Sequence, residues 1–238
     1  MKQQINLVHL YPQEMNIYGD TGNRLILERR LSYRGFAVKV WLIGLGEKLP
    51  EDSDIIIGGG GQDAVQSAIQ VDLLTKANQL SELAKADAVM LMVCGLYQLF
   101  GRRFITSTGE DIKGIGLLPM ETRAGHERLI GNMVVDTPWG ELVGYENHSG
   151  LSVLDDPKQA LGRVKKGAGN NGHDKTEGCL HENIFGTYSH GPVLSKNPFL
   201  ADELIRRAVE RKYGVSELKL LDDTLERHAA SIAKKRPR

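Results

Sequence analysis

The sequence predicts an α/β fold in which a mostly parallel central sheet is flanked by helices and extended by antiparallel hairpins. Short apolar runs alternate with amphipathic stretches in the first half of the chain, and glycine- and proline-containing turns recur in the second half. Alternation of the first kind is typical of parallel strands joined by helical crossovers. Since 238 residues are enough for one α/β domain of ordinary size, we expect residues 1–238 to form a single domain.

Four apolar runs in the first half have the length and composition of buried parallel strands. These runs are residues 5–10, 37–43, 54–57 and 88–93. Between them, residues 23–33 and 64–85 place their apolar side chains at helical spacing, which predicts two crossover helices.

The second half predicts hairpins and then a helical end. Residues 129–135 and 141–145 flank a turn that contains Pro138 and Gly140, which favours an antiparallel pair. The remaining predictions are a mobile surface loop at 165–178, a strand at 184–188, a helix at 197–213, a polar helical end at 216–235 and a disordered basic tail at 232–238.

Bulk composition excludes several classes of protein. Lys and Arg together number 30, as do Asp and Glu, so nothing indicates nucleic-acid binding. The two cysteines form no Cys-x-x-Cys pair, which argues against a disulfide framework and against a cysteine-rich zinc site. No apolar run approaches the roughly 20 residues of a membrane helix. We therefore expect a cytoplasmic chain with no membrane insertion.

Cys94 is the first candidate for chemistry. It follows a fully apolar strand and precedes Gly95 and a short helix-like run, so strand, sharp turn and helix succeed one another. Such an elbow presents one side chain above the edge of the sheet, and the N-terminus of the next helix favours a thiolate there. The alternative is that Cys94 is a small buried hydrophobic residue, as many free cysteines are.

A run of four glycines, residues 58–61, opens at the end of another predicted strand. It lacks the Gly-Lys-Ser/Thr ending of a phosphate-binding loop, so nucleotide binding there is disfavoured. Backbone N–H groups in such a run are suited to an oxyanion hole, which acyl-transfer chemistry requires. A plain tight turn is the alternative interpretation.

His190 follows the predicted strand at 184–188 and directly precedes Gly191-Pro192, a turn sequence. A cysteine nucleophile needs an imidazole that stabilises its thiolate and then protonates the leaving amine. His190 is our candidate for that acid and base, although an isolated histidine at a strand end is more often a polar loop residue. We expect no metal site, because the other histidines and Cys179 show no paired ligand spacing.

Four motifs in this order resemble the cobyric-acid-synthase branch of the class I glutamine amidotransferases. The motifs are residues 58–63, Cys94-Gly95-x-Tyr97-Gln98-Leu99-x-Gly101, Gly144-Tyr145-Glu146-Asn147-His148 and Gly186-Thr187-Tyr188-x-His190-Gly191-Pro192. The resemblance spans most of the chain and implies a flavodoxin-like class I amidotransferase domain. Residues 18–23, Tyr-Gly-Asp-x-Gly-Asn, resemble the glutaminase subunits of this branch that serve a separate synthetase.

The resemblance implies a role for each site residue. Cys94 is expected to attack the side-chain amide of L-glutamine, and His190 is expected to act as acid and base. N–H groups near Gly60 and of Gly95 or Leu96 are expected to bind the oxyanion. Arg128 matches a family arginine that holds the substrate, and a guanidinium suits its α-carboxylate.

Two positions depart from the usual pattern. Leu96 stands where the elbow usually has a second glycine, which bears on the geometry of the oxyanion hole. Pro192 stands where ordinary class I glutaminases carry an acid two residues after the histidine, a lack that the cobyric-acid branch shares. Glu146 is a candidate for orienting His190 in its place, with a solvated loop carboxylate as the alternative.

The resemblance also implies a partner. We expect a heterodimer with a Mur-ligase-like synthetase that binds ATP and Mg²⁺ and amidates D-glutamate in the lipid II stem peptide. The chain itself is expected to need no cofactor. Two alternatives remain open at this point, namely another acceptor such as a corrinoid precursor, and a regulatory subunit that has lost catalysis.

Overall fold

Two six-stranded sheets form the framework of the protein. The computed structural model describes residues 3–61 and 63–236, with the backbone alone for residues 63–67. The strands are β1 (Gln4–Leu10), β2 (Ala37–Ile43), β3 (Ile55–Gly58), β4 (Val89–Val93), β5 (Arg103–Ile105), β6 (Asp111–Lys113), β7 (Met120–Thr137), β8 (Gly140–Leu154), β9 (Gly162–Lys166), β10 (Thr176–Glu177), β11 (Cys179–His181) and β12 (Ile184–Thr187). The helices are α1 (Thr21–Tyr33), α2 (Asp63–Lys85), α3 (Gly95–Phe100), α4 (Pro198–Tyr213) and α5 (Thr224–Lys235).

The first sheet has the strand order β11-β12-β4-β3-β1-β2, and only β11 runs antiparallel to its neighbour. Its inner strands β1, β3, β4 and β12 are buried almost throughout, because helices cover the sheet. The four strands and two crossover helices predicted in the first half are confirmed to within two residues at each end.

Parallel pairing brings the carboxyl ends of four strands to one edge of this sheet. Gly58 pairs with both Leu10 and Met92, and Thr187 pairs with Val93. The loops that follow β1, β3, β4 and β12 therefore meet there, at the edge where open α/β sheets place their ligands. These loops carry the candidate site residues.

The second sheet is built on one long antiparallel hairpin, β7 and β8, with β9, β10, β5 and β6 added to it. The hairpin turns at residues 138–139, as the sequence predicts, although its strands extend well beyond the predicted runs. One hydrophobic cluster includes side chains from both sheets. None of the helices in the described part of the chain has the length and hydropathy that a bilayer crossing requires.

One prediction about chain order is wrong. The loop at 165–178 is tied down at its centre, since Asn170 is fully buried and donates to Thr176 Oγ1 and to the carbonyl oxygen of Gly178. The basic tail, residues 232–238, is predicted to be disordered, and in the structure α5 continues as far as Lys235 and brings Lys234 to Glu141. Residues 237 and 238 lie outside the described residues.

Candidate active site

Cys94 occupies a strained elbow between β4 and α3. Its φ and ψ angles are 51° and −103°, a conformation that non-glycine residues rarely adopt. The turn is held because the Cys94 N–H donates to the carbonyl of Thr187 at 2.9 Å, while the Cys94 carbonyl accepts from the N–H of Gln98 at 3.0 Å. The side chain is 6% exposed. The strain is thus stored at the side chain that the sequence assigns to catalysis.

Gly60 lies between Cys94 and His190. A β-carbon at this position would stand 3.1 Å from Cβ of Cys94, 3.5 Å from its Sγ and 3.1 Å from Cε1 of His190. The absence of a side chain at Gly60 therefore leaves the thiol and the imidazole facing a shared space. Only glycine leaves that space open to a substrate carbonyl.

His190 is positioned by backbone pairing with the second sheet. Its N–H donates to the carbonyl of Tyr145 at 2.8 Å and its carbonyl accepts from the Tyr145 N–H at 3.2 Å. The imidazole is 1% exposed, and the ring of Tyr18 lies 4.1 Å from it between centroids. Asp20 Oδ1 is 3.9 Å from Nδ1 of His190.

The surroundings of His190 favour its protonated form. Burial lowers its pKa, but the negative charges of the Cys94 thiolate and the Asp20 carboxylate outweigh burial and raise the pKa to about 9. An imidazolium beside a thiolate is the arrangement that a cysteine nucleophile needs, because it both stabilises the anion and holds the proton for the leaving group.

The predicted oxyanion donors differ in what they already bind. The Gly60 N–H donates to Asp20 Oδ2 at 2.9 Å, and the Leu96 N–H donates to the carbonyl of Gly59 at 3.3 Å. The Gly95 N–H begins α3, where helix geometry supplies no acceptor, and none of the described residues outside the helix accepts from it. Gly95 is therefore the donor that is available in this structure, and Gly60 is not.

Leu96 fits the elbow because a neighbouring strand lacks a side chain. A β-carbon at Gly58 would stand 2.1 Å from Cδ1 of Leu96, and Leu96 is fully buried. The Leu96 side chain therefore occupies the space that Gly58 leaves free by having no side chain. Leu96 can replace the second glycine of the elbow while the sharp turn at Cys94 is kept.

Arg128 projects from β7 beside the site. Its Nε donates to Asn147 Oδ1 at 2.6 Å, and its Nη2 lies 3.5 Å from the Tyr18 hydroxyl. Since Tyr18 also packs on His190, one aromatic ring connects the guanidinium to the imidazole. Arg128 also lines a cavity of about 420 Å³ together with Glu146 and Gly167, and neither Cys94 nor His190 is part of its lining.

The assignment of Glu146 as the group that orients His190 does not fit the structure. Its Oε1 accepts from the N–H of Ala168 at 2.7 Å and its Oε2 from the N–H of Gly169 at 2.8 Å. Tyr145 and His190 are paired in an antiparallel bridge, so their side chains lie on the same face of the sheet. Successive residues of a strand point to opposite faces, so the side chain of Glu146 lies on the other face. Glu146 anchors the segment after β9 instead.

Asp20 and Tyr18 are the site residues to which sequence reasoning gave no role. Both belong to a motif in a loop without periodicity, and only the packing of that loop brings them to His190. The position of this loop after the first strand of a parallel sheet, at the ligand-binding edge, is the sequence feature that could have placed both residues in the site. Among the described residues, no three His, Cys, Asp or Glu side chains converge as a metal centre requires.

Comparison with known proteins agrees with this geometry. The chain is 37% identical over 232 residues to the lipid II isoglutaminyl synthase (glutamine-hydrolyzing) subunit GatD of Streptococcus pneumoniae, covering 95% of this chain and 89% of that protein. It is 35% identical over 231 residues to the subunit of the same name from Staphylococcus aureus, covering 96% and 94%.

Similarity extends to a solved structure and to a family model. A chain in the structure of PurLQS from Thermotoga maritima matches with a TM-score of 0.56 at 20% identity, over 89% of this chain and 97% of that chain, which shows a shared fold. The model of the CobB/CobQ-like glutamine amidotransferase domain matches residues 6–198. With Cys94 in a strained elbow and His190 beside it, the chain belongs to the CobB/CobQ-like glutamine amidotransferase family.

Proposed function

We propose that this chain is the glutamine-hydrolysing subunit of a lipid II isoglutaminyl synthase. It converts L-glutamine to glutamate and ammonia and passes the ammonia to a synthetase subunit. The observation that carries the proposal is the placement of Cys94 and His190 on either side of Gly60. The names of the two bacterial relatives support the choice of pathway.

The first half of the reaction forms a thioester on Cys94. The thiolate attacks the side-chain carbonyl carbon of glutamine, and the resulting oxyanion accepts a hydrogen bond from the Gly95 N–H at the start of α3. His190 gives its proton to the departing nitrogen, so the C–N bond breaks as ammonia leaves. A γ-glutamyl thioester and a neutral imidazole remain.

The second half returns the enzyme to its starting state. Neutral His190 accepts a proton from a water molecule as the water oxygen attacks the thioester carbon. The C–S bond breaks, glutamate leaves with the new oxygen, and the thiolate–imidazolium pair forms again. One imidazole thus acts as acid and then as base.

Substrate recognition falls to Arg128. A guanidinium binds a carboxylate through two parallel hydrogen bonds, which fix orientation as well as position. Arg128 lies on the exposed side of Tyr18, whose ring covers His190. An α-carboxylate held there leaves the glutamine side chain to extend towards Cys94.

The ammonia acceptor lies on the partner. This sequence carries no phosphate-binding motif of its own, so ATP and Mg²⁺ belong to a Mur-ligase-like synthetase that pairs with the chain as a heterodimer. That subunit activates D-glutamate of the stem peptide, and ammonia converts it to D-isoglutamine. The reaction takes place in the cytoplasm, where its nucleotide is supplied.

The catalytic part of the proposal is tested with the two cysteines. Substituting Cys94→Ala should abolish ammonia release from glutamine, whereas Cys179→Ala should retain it. Burial, with a smaller effect of Asp155, raises the pKa of Cys179 to about 12, so a chloroketone analogue of glutamine should label Cys94 alone at neutral pH. Ammonia release by the Cys94→Ala variant would refute the mechanism.

The acceptor is tested by reconstitution. The chain is combined with a Mur-ligase-like subunit, lipid II, ATP, Mg²⁺ and glutamine, and the stem peptide is examined by mass spectrometry for conversion of a carboxyl to an amide. Amidation that depends on Cys94 supports the pathway. Glutamine hydrolysis without amidation of lipid II, together with amidation of a corrinoid acid by another partner, would overturn it.

A further inference from the structure

A cavity of about 490 Å³ lies at the carboxyl ends of β1 and β2, on the same edge of the first sheet as the active site. Its walls come from the end of β1 and the loop that follows, from the first turns of α1, and from the end of β2 and the loop after it. Neither Cys94 nor His190 is part of this lining. The volume is within the range of small-molecule sites, about 300–1,000 Å³, and open α/β sheets bind ligands at this edge.

The loop after β1 separates this cavity from the active site. Residues 12–14 line the cavity, while the backbone of the same loop packs on the glycine run. A β-carbon at Gly61 would stand 3.0 Å from the carbonyl oxygen of Glu14, and the Ile17 N–H donates to the carbonyl of Gly60 at 3.2 Å. The cavity and the glycine run therefore contact different parts of one loop, and the cavity is separate from the site of Cys94.

His9 is a fully buried polar group in the wall of this cavity. It lies in β1, and neither its Nδ1 nor its Nε2 has a hydrogen-bond partner among the described residues. Buried polar side chains nearly always have such a partner, so an imidazole without one at a cavity wall points to a ligand. Burial and the positive charge of Arg24 lower its pKa to about 4 against the smaller effect of Asp20. The ring is thus neutral near pH 7 and offers one donor and one acceptor.

Two charged side chains of the same wall also have unused hydrogen-bonding atoms. Oε2 of Glu14 and Nε of Arg24 are buried without a partner in the described part of the chain, and both side chains line the cavity. Arg24 is held at its other end, since its Nη1 donates to Glu28 Oε2 at 2.7 Å. A cation, an anion and a neutral imidazole therefore border one small space, each with an unused donor or acceptor.

This combination matches a zwitterion. A guanidinium binds a carboxylate, a carboxylate accepts hydrogen bonds from an ammonium group, and a neutral imidazole pairs with a neutral polar group. Glu47 also lies in the lining, where its Oε2 accepts from the Gly44 N–H at 2.7 Å, and it contributes a second negative charge. A wall with more negative than positive charge disfavours inorganic anions and ligands with an anionic side chain.

We propose that the cavity binds a free α-amino acid with a neutral polar side chain, its carboxylate at Arg24, its ammonium at Glu14 and its side chain at His9. The site goes beyond the glutaminase function, because it uses neither Cys94 nor His190. An amide side chain suits His9, since one group supplies both the acceptor and the donor with which a neutral imidazole can pair. L-glutamine is therefore the probe.

The test begins by closing the active site. The full-length chain is alkylated at Cys94 with the glutamine chloroketone, which occupies the catalytic site and stops turnover, and is then titrated with L-glutamine by calorimetry. We expect one ligand per chain with a Kd of about 1 mM or tighter. Glutaramate, which lacks the ammonium group, and 4-aminobutanamide, which lacks the carboxylate, should bind at least about tenfold more weakly.

Two variants of the lining test the charged contacts. Arg24→Met and Glu14→Gln should each weaken the binding of L-glutamine at least about tenfold, because a hydrogen bond between charged groups is lost. The matched control is Arg29→Met, an exposed arginine on the same helix that lies outside the lining, and its Kd should stay within about twofold. If a lining variant fails to fold, NMR of the unaltered alkylated chain decides, because the imidazole resonances of His9 should shift and saturate with the same Kd.

The contrary outcomes are distinct. Absence of L-glutamine binding at about 10 mM, unchanged binding in Arg24→Met and Glu14→Gln, or unresponsive His9 resonances would overturn the site. Tighter binding of inorganic phosphate or L-glutamate would also overturn it, because the cavity would then be an anion site. Failure of the proposed function is recognised separately, by ammonia release from Cys94→Ala or by a Cys94 that the chloroketone leaves unlabelled. In that case L-glutamine is titrated into the chain without alkylation, with the same variants.

Discussion

The backbone N–H of Gly60 donates to Oδ2 of Asp20 at 2.9 Å, which fixes the glycine run where it faces the thiol of Cys94. Because the Gly60 N–H is already bound to Asp20, it is not available for the oxyanion hole to which the sequence assigns it. Gly60 keeps a steric role that can be tested directly, because any side chain at this position would occupy the space beside Cys94 and His190.

Substituting Gly60→Ala should remove glutaminase activity while the protein stays folded. The added methyl group would lie 3.1 Å from both Cβ of Cys94 and Cε1 of His190, closer than most real Cβ contacts. It occupies the space through which the substrate carbonyl approaches, and small misplacements at reacting centres cost about 10² in rate. We expect at least that loss in kcat/KM for ammonia release.

Gly44→Ala provides the control for Gly60→Ala. Among the described residues, a β-carbon at Gly44 would meet only the carboxylate of Glu47, at an ordinary 3.7 Å. This variant should keep full activity and a similar melting temperature. Equal activity in the two alanine variants would contradict the steric role of Gly60.

Substituting Arg128→Met should weaken glutamine binding more than it slows the chemistry. Hydrogen bonds to charged groups contribute about 1.5–3 kcal/mol, so KM should rise about 10- to 100-fold, while kcat changes little. Steady-state ammonia release over a range of glutamine concentrations measures both constants. The control is Arg123→Met, an exposed arginine on the same strand β7. A large loss of kcat with unchanged KM would contradict the binding role.

The parallel core could be predicted because its signals are local. An unbroken apolar run such as β4, followed by Gly95, predicts a buried strand and its turn without knowledge of the rest of the chain. The choice of Cys94 and His190 as candidates rests on similar reasoning, because parallel strands present their carboxyl ends at one edge, and their catalytic roles stay predictions.

The partners of His190 could not be predicted because they depend on packing between distant segments. Glu146 belongs to one of the recognised motifs and is a carboxylate, as the role requires. Strand alternation nevertheless directs its side chain away from His190, and two backbone N–H groups bind it. Asp20 reaches the site through a loop whose position is set by its contact with Pro192. Leu96 is tolerated for a similar reason, since Gly58 on a neighbouring strand makes room for it.

Arg30 should be important for stability rather than for activity. Its side chain is 7% exposed and binds both oxygens of Asp202 and one of Asp223, each at 2.7 Å, which joins α1 to α4 and to the start of α5. Removing one partner of a buried ion pair costs about 3–5 kcal/mol. Because Asp202 keeps Arg34 as a partner, we expect a loss near 3 kcal/mol for Arg30→Met in urea unfolding.

An exposed ion pair, Arg103 with Asp111, provides the control for Arg30→Met. Arg103 pairs with Asp111 on the surface, where side-chain exposures are 40% and 52%. Arg103→Met should lower the free energy of unfolding by less than about 1 kcal/mol. Similar decreases in the free energy of unfolding of Arg30→Met and Arg103→Met would show that Arg30 contributes no more to stability than an exposed arginine.

Glu177 should make the folded protein less stable as the pH rises from about 4.5 to 7. Its carboxyl is fully buried, and burial, assisted by the charge of Glu146, raises its pKa from 4.5 to about 7 against the opposing hydrogen bonds from Thr187 and Tyr188. Below pH 4.5 both folded and unfolded chains hold the proton. Between the two values only the folded chain holds it, so stability falls with rising pH, and above 7 the loss is constant.

Glu177→Gln should remove this dependence. The free energy of unfolding of the variant, relative to the unaltered chain, should rise by about 3 kcal/mol between pH 4.5 and pH 7.5 in urea titrations. Glu203→Gln is the control, since hydrogen bonds from Arg206 and Arg207 outweigh burial and lower the pKa of Glu203. Its stabilising charge is present above pH 4.5 and lost only below it, so its difference from the unaltered chain should stay constant over the same range. Parallel curves for Glu177→Gln and the unaltered chain would mean that Glu177 is ionised throughout.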